Sequence, residues 1–195
     1  MAYSLIIIDD FYSNPEEVRQ FALQQEFGVK GNYPGQRTEP FLTESLKEYI
    51  NSHIRAHHGE IIWPEGRDSY CGAYQYTTAA DTTWIHADGT TNWAGVWYGT
   101  PNAPASGGTG LFRHKETGLM EQPRNADGST DEKLLDYIYE DARDYTKWDK
   151  VAEVGNVFNR LVIYRGDYFH ASLDYFGKNK YDGRLFQTFF FNTQS

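Results

Sequence analysis

Thiols are almost absent from this chain. Cys71 is its single cysteine, so no intrachain disulfide can form and no thiolate cluster can hold a metal. Long apolar runs are missing as well. The opening MAYSLIIIDD has only four apolar residues before two aspartates, without the basic start and longer apolar core of a secretion signal. No stretch reaches the length that a bilayer-spanning helix needs, so the expectation is a soluble, cytoplasmic protein without a membrane partner. Positive charge is scarce too: 18 Lys and Arg stand against 27 Asp and Glu, a net charge of −9. Such a chain is poorly suited to gripping a phosphate backbone, which argues against nucleic acid as a partner.

Aromatic residues are abundant instead, with 15 Tyr, 12 Phe and 5 Trp making up 16 % of 195 residues. Such side chains fit a pleated, half-buried surface, and the length suits one domain over 1–195. Residues 1–69 read as a strand and helix support. Leu5–Ile8 is a short buried strand; Asn14 is placed to cap a helix, with Pro15 at its first position and Glu17 closing a capping box. GVKGNYPGQRTEPF is a Gly/Pro-rich loop, and GNYPGQRTEP within it a candidate entrance loop. A second helix over about 43–58 carries Leu46, Ile50 and Ile54 on one stripe and stops at Gly59.

From about 70 the pattern becomes strands: YCGAYQYTT, WAGVWYGT, GTGLFRHK, NRLVIYRGDYFHAS and GRLFQTFFFN, separated by Gly-rich turns. A helical insert of about 119–150 interrupts them, its helix at about 130–146 started by Ser129 with Glu132. The predicted class is α+β, mainly β, an antiparallel sandwich or jelly roll over 70–195 with flanking N-terminal helices.

The chemistry-bearing residues are sparse. In WIHADG, His86 and Asp88 stand two apart, so on a strand both side chains leave the same face. With six His and 14 Asp in the chain, about 0.4 such matches arise by chance, so the pattern needs partners. A third metal ligand could come from His170, His114 or the His53/His57/His58 group. His53 and His57 have helical spacing but share an apolar stripe and lack the Glu of a zinc-protease motif, which favours packing or capping. His114, between Arg113 and Lys115, reads as a surface or substrate-side residue. Arg184 opens an apolar strand whose face-mates are Phe186, Thr188 and Phe190, and an inward guanidinium there needs an anionic partner such as a ligand carboxylate.

His86-Ala87-Asp88, then His170, then Arg184 resemble, in order and strand context, the Fe(II)- and 2-oxoglutarate-dependent oxygenases. IIIDDFYSNPEEVRQFAL and GGTGLFRHKETG resemble the prolyl-4-hydroxylase-like branch, and the series as a whole is similar to its compact, phage-type members; a phage origin would place the protein in the host cytoplasm. The resemblance implies a double-stranded β-helix (a jelly roll) with His86, Asp88 and His170 as catalytic Fe(II) ligands. It implies 2-oxoglutarate as cosubstrate with its far carboxylate on Arg184, and dioxygen as the oxidant. The implied activity is hydroxylation of an unactivated C–H bond on a protein side chain such as prolyl, or on a small molecule, with succinate as coproduct. Many relatives place Ser or Thr two residues after the arginine; Phe186 stands there in this chain, so a hydroxyl would come from Thr188 or from Tyr74 or Tyr76. Those tyrosines read equally as core residues, and Trp84, Trp93, Trp97 and Tyr98 as packing. Asn92 and Arg113 are further candidate contacts. Two alternatives stay open: a cupin-like metalloenzyme without 2-oxoglutarate, and a noncatalytic jelly-roll binding or structural module.

Overall fold

A computed structural model of the protein describes residues 4–31, 33–65, 70–89 and 91–194. The side chain of His57, half of the candidate helical histidine pair, lies outside the described residues. Ten strands and three α-helices are present among them. In chain order they are β1 (Leu5–Ile8), α1 (Pro15–Gln24), β2 (Gln36–Pro40), α2 (Glu44–His58), β3 (Glu60–Ile62), β4 (Ala73–Thr77), β5 (Trp93–Tyr98), β6 (Thr109–His114), α3 (Glu132–Tyr139), β7 (Trp148–Val154), β8 (Leu161–Arg165), β9 (His170–Ser172) and β10 (Arg184–Gln194).

The strands form two antiparallel sheets. The larger runs β1-β8-β5-β10-β4-β2, with β3 pairing the far end of β10; the smaller runs β7-β6-β9. Alternation along β10 explains how the layers stack. Leu185, Phe189 and Phe191 pack with Leu23 of α1 and Ile50 and Ile54 of α2. Phe186 and Phe190 point the other way, to a cluster with Val96, Leu111, Val154 and Tyr164 between the two sheets. A third cluster puts Leu135 and Ile138 of α3 against Phe112, Trp148 and Phe169. The helices therefore close the outer faces, leaving the space between the sheets for a site.

Asn159 ties the N-terminal segment to this frame. Its Oδ1 accepts from the Tyr12 amide at 2.9 Å and the Trp97 indole at 3.0 Å, and its Nδ2 donates to the Tyr12 carbonyl at 2.8 Å. Asn holds the left-handed φ of 65° there, a conformation it tolerates better than most residues.

Several local expectations need correction. The Asn14 side chain makes no capping bond; only its carbonyl accepts, from Val18 N. Helix α3 is capped by Asp131, which accepts from Leu134 N at 3.1 Å, while Ser129 donates to Asp127 in the preceding turn. That helix also ends at Tyr139, short of the expected 146. The connector around QRTEP contains β2, paired to β4, so part of the expected loop is sheet. Strands β3 and β7 were likewise not anticipated. No helix among the described residues is long and apolar enough to cross a membrane.

Candidate metal centre

His86 lies outside any regular strand, contrary to the expectation, yet it is held like a strand residue. One antiparallel bridge joins it to His170, with His86 N donating to His170 O at 2.9 Å and His170 N to His86 O at 2.7 Å. Two residues on, Asp88 N donates to Gly166 O at 2.6 Å. Gly166 is required by this close approach, since a Cβ there would meet Thr91 O at 2.8 Å and the Asp88 Cβ at 3.4 Å. The turn in YRGDYF thus aligns His86 and Asp88 opposite His170.

The three side chains converge: one ligand atom from each lies within 4.8 Å of the other two. His86 Nε2 is 3.9 Å from Asp88 Oδ1, and His170 Nε2 is 3.7 Å from Asp88 Oδ2. Ligands at right angles about one ion at ~2.1 Å sit ~3 Å apart, so closing the set takes a contraction of under ~1 Å at each His–Asp pair and of under ~2 Å at the widest pair. The tautomers suit it as well. His86 Nδ1 faces the Trp84 carbonyl at 3.2 Å and His170 Nδ1 the Tyr168 carbonyl at 2.8 Å. A carbonyl only accepts, so each Nδ1 carries the proton and each Nε2 lone pair is left for the centre.

Electrostatics points the same way. Burial lowers the pKa of His86 to about 4, helped by His170, and lowers that of His170 to about 4. Burial raises Asp88 to about 6 against the pull of His86. At neutral pH the imidazoles are therefore neutral while the carboxylate is charged. Asp88 Oδ2 is buried without a hydrogen-bond partner. An uncompensated buried charge is costly, and a divalent cation bound by all three groups would remove that cost. Two His and one carboxylate are the facial donor set that leaves three positions of an octahedron open.

The centre lines a cavity of about 250 Å³ between the sheets, walled also by Tyr33, Arg37, Gln75, Thr109, Ser172, Phe186, Thr188 and Phe190. A larger, open groove of about 580 Å³ between α1, α2 and β2 carries only apolar, Thr, Ser and Tyr side chains and no metal-binding group.

Arg184 is 1 % exposed. Its Nε donates to Gly107 O at 2.8 Å and Nη2 to Gly108 O at 3.4 Å, while Nη1 is buried without a partner. No carboxylate pairs with it among the described residues. Its guanidinium packs 4.5 Å from the ring of Phe186, and that ring forms the cavity wall there. Directly across the β4–β10 pairing stands Thr77, whose buried Oγ1 also lacks a partner. Residues opposite each other in an antiparallel pair share a face, so Arg184 and Thr77 leave the sheet on the same side.

The remaining candidates divide. Thr188 lines the cavity, but its hydroxyl donates to Tyr70 O at 3.1 Å. Tyr74 and Tyr76 do not line it: both pack on the helical side, and Gln75 between them faces the cavity. Alternation gave their shared face correctly, but that face turned out to be the outer one. Trp84 lines the cavity, whereas Trp93 and Trp97 are core. Arg113 is exposed and pairs with Asp149 at 2.8 Å, and Asn92 is exposed. His114 is fully buried rather than at the surface, its Nε2 3.1 Å from Asp141 and its ring against Trp148. His53 bonds the carbonyl of Tyr49 on its own helix and joins no metal-binding group among the described residues. Tyr33, Arg37, Gln75 and Thr77 were missed; an arginine between Gly/Pro turns and a glutamine between tyrosines were the available signals.

No curated protein matches the sequence. Among solved structures, HygX from Streptomyces hygroscopicus with nickel and 2-oxoglutarate bound is similar over 99 % of this chain and 84 % of its own, with a TM-score of 0.61 and 10 % identity. The same protein with iron bound gives 0.57 at 10 % identity over 98 % and 82 %. A prolyl hydroxylase from Trichoplax adhaerens, in complex with a hypoxia inducible factor oxygen degradation domain peptide, gives 0.55 at 15 % identity over 96 % and 83 %. At such identities the likeness establishes the fold alone: mainly β, with antiparallel sheets and three helices, similar to the fold of these proteins. Residues 2–191 match the profile of a family described only as one of unknown function, DUF6445, and the chain belongs to that family.

Proposed function

We propose that this protein is an Fe(II)- and 2-oxoglutarate-dependent dioxygenase that hydroxylates an unactivated C–H bond. In this reading 1–195 is one double-stranded β-helix domain, supported by 1–69 and carrying an insert at about 119–150. His86, Asp88 and His170 would hold the iron. The observation that carries the reading is that donor set together with a buried guanidinium, Arg184, which has no carboxylate partner among the described residues and an unsatisfied Nη1, packed behind the Phe186 wall of the same cavity. Arg184 and Thr77 would take the far carboxylate of 2-oxoglutarate, Thr77 supplying the hydroxyl that Phe186 cannot. The neutral imidazoles are fixed by backbone carbonyls, and the aromatic wall of Tyr33, Trp84 and Phe190 keeps bulk water from the reacting carbon.

Bound iron supplies activation of dioxygen at neutral pH. One oxygen atom enters the substrate C–H bond, and the other ends in succinate as 2-oxoglutarate loses carbon dioxide. The partners are thus dioxygen and a protein side chain or small molecule. A metalloenzyme using the triad without 2-oxoglutarate is the second reading, favoured by the Phe186 ring that walls the cavity beside Arg184.

The first reading expects slow succinate formation from labelled 2-oxoglutarate without any added substrate, dependent on both Fe(II) and dioxygen. Succinate release unchanged from a no-protein control, in protein that binds iron, would favour the second reading.

A further inference from the structure

Arg37 is a second buried guanidinium, and it faces the cavity directly. Only 3 % of its surface is exposed. Its Nε donates to Gln75 Oε1 at 3.3 Å and Nη2 to the Tyr33 carbonyl at 2.9 Å, and its Cζ lies 4.8 Å over the Tyr70 ring. Gln75 is held in turn, donating from Nε2 to Pro34 O at 2.5 Å. The glycine-bearing connector makes room for the group: a Cβ at Gly31 would fall 1.1 Å from Nη1. Every one of these neighbours is neutral, and no Asp or Glu pairs with Arg37 among the described residues.

A charge census of the cavity sharpens this. Among the described residues, Asp88 and Arg37 are the only Asp, Glu, Lys or Arg side chains lining it, with Arg184 packed behind Phe186. A divalent metal brings two positive charges, of which Asp88 cancels one; the dianion 2-oxoglutarate cancels the other and Arg184. One positive charge is left over, on Arg37. A buried guanidinium is costly to keep without a counter-charge, and its planar fork matches a carboxylate.

We infer that the molecule oxidised is an organic acid whose carboxylate is bound by Arg37, with Gln75 as the positioning residue that orients the guanidinium. The inference rests on the oxygenase reading for the charges of metal and cosubstrate. Cavity size limits the acid: about 250 Å³ lies below the roughly 300–1,000 Å³ usual for ligand sites, so a small acid or the acidic end of a larger one enters. Val96, Trp84 and Phe190 offer its carbon skeleton an apolar wall.

The test is calorimetric titration of the full chain loaded with manganese and 2-oxoglutarate, which blocks turnover. The probes are small aliphatic and aromatic carboxylic acids, each beside its primary amide and its phosphate-monoester analogue. A charge-assisted pair predicts acids binding about ten-fold or more tightly than their amides. Arg37→Gln should erase that gap while leaving 2-oxoglutarate affinity within about two-fold of wild type. Arg37→Lys, which keeps the charge without the fork, should retain part of the gap and serves if the Gln variant does not fold. A panel in which no acid outbinds its amide, or a gap that survives Arg37→Gln, overturns the inference. Preference for the phosphate esters overturns the carboxylate, and loss of 2-oxoglutarate in Arg37→Gln would make Arg37 a cosubstrate residue. If the wild type binds no 2-oxoglutarate, the oxygenase reading fails. The acid–amide gap is then read on metal-free protein, where its loss in Arg37→Gln still supports an acid-binding recess and its absence overturns one.

Discussion

Replacing Arg184 with Met is expected to weaken 2-oxoglutarate binding by about two to three orders of magnitude, because truncating one partner of a buried, hydrogen-bonded charge pair costs about 2–5 kcal/mol. Metal affinity in the absence of 2-oxoglutarate should stay as in the wild type, since Arg184 belongs to neither ligand strand end. The same substitution should change the stability of the ligand-free protein by only about 1 kcal/mol in either direction. A buried guanidinium without a carboxylate partner contributes little to folding, and an apolar replacement of similar volume is often neutral or stabilising. Gly107 O, one of its two acceptors, keeps a bond from Asn156 Nδ2 at 3.1 Å. Calorimetry with 2-oxoglutarate and urea denaturation of the same variant separate the two roles. A large loss of stability with unchanged affinity would make Arg184 a structural residue.

The second large effect concerns the ligands themselves. His170→Ala should lower metal affinity by more than the 10–100-fold seen when only an outer hydrogen-bond partner of a metal ligand is removed. Asp88→Asn should do the same and also raise the stability of the metal-free protein. It removes a buried carboxylate whose Oδ2 has no partner while keeping its shape, so stability and function trade against each other at this position. Competition titrations with a chelating dye give the affinities, and melting curves in chelator give the stabilities. An Asp88→Asn variant that melts well below the wild type would mean that the carboxylate serves the fold.

Much of this centre is legible in the sequence, for physical reasons. His86 and Asp88 share a direction because they are two apart. The GDYFH turn is short enough to read as a re-entry into the sheet, and it brings His170 back opposite them. Arg184 and its face-mates follow from the period of two along β10. What was not legible is which side of a strand faces the cavity when both sides are buried. Tyr74 and Tyr76 share a face, but Ala73, Gln75 and Thr77 on the opposite face are buried as well, so hydrophobicity does not tell the two apart. Gln75, polar in an apolar strand, was the residue that marked the inner face. His114 illustrates the converse: Arg113 and Lys115 made the segment look exposed, yet adjacent residues on a strand point to opposite sides, and His114 faces inward. Arg37 stayed hidden because Gly and Pro on either side of QRTEP read as loop, although five residues there are enough for β2.

The coupling of a metal to 2-oxoglutarate at one site is measured most directly by the visible spectrum of the wild-type protein, titrated with Fe(II) under argon in the presence of 2-oxoglutarate. A charge-transfer band that grows to saturation with metal, requires both components and is absent from His170→Ala is the predicted result. A spectrum unchanged by 2-oxoglutarate, in protein whose circular dichroism shows it folded, would contradict it.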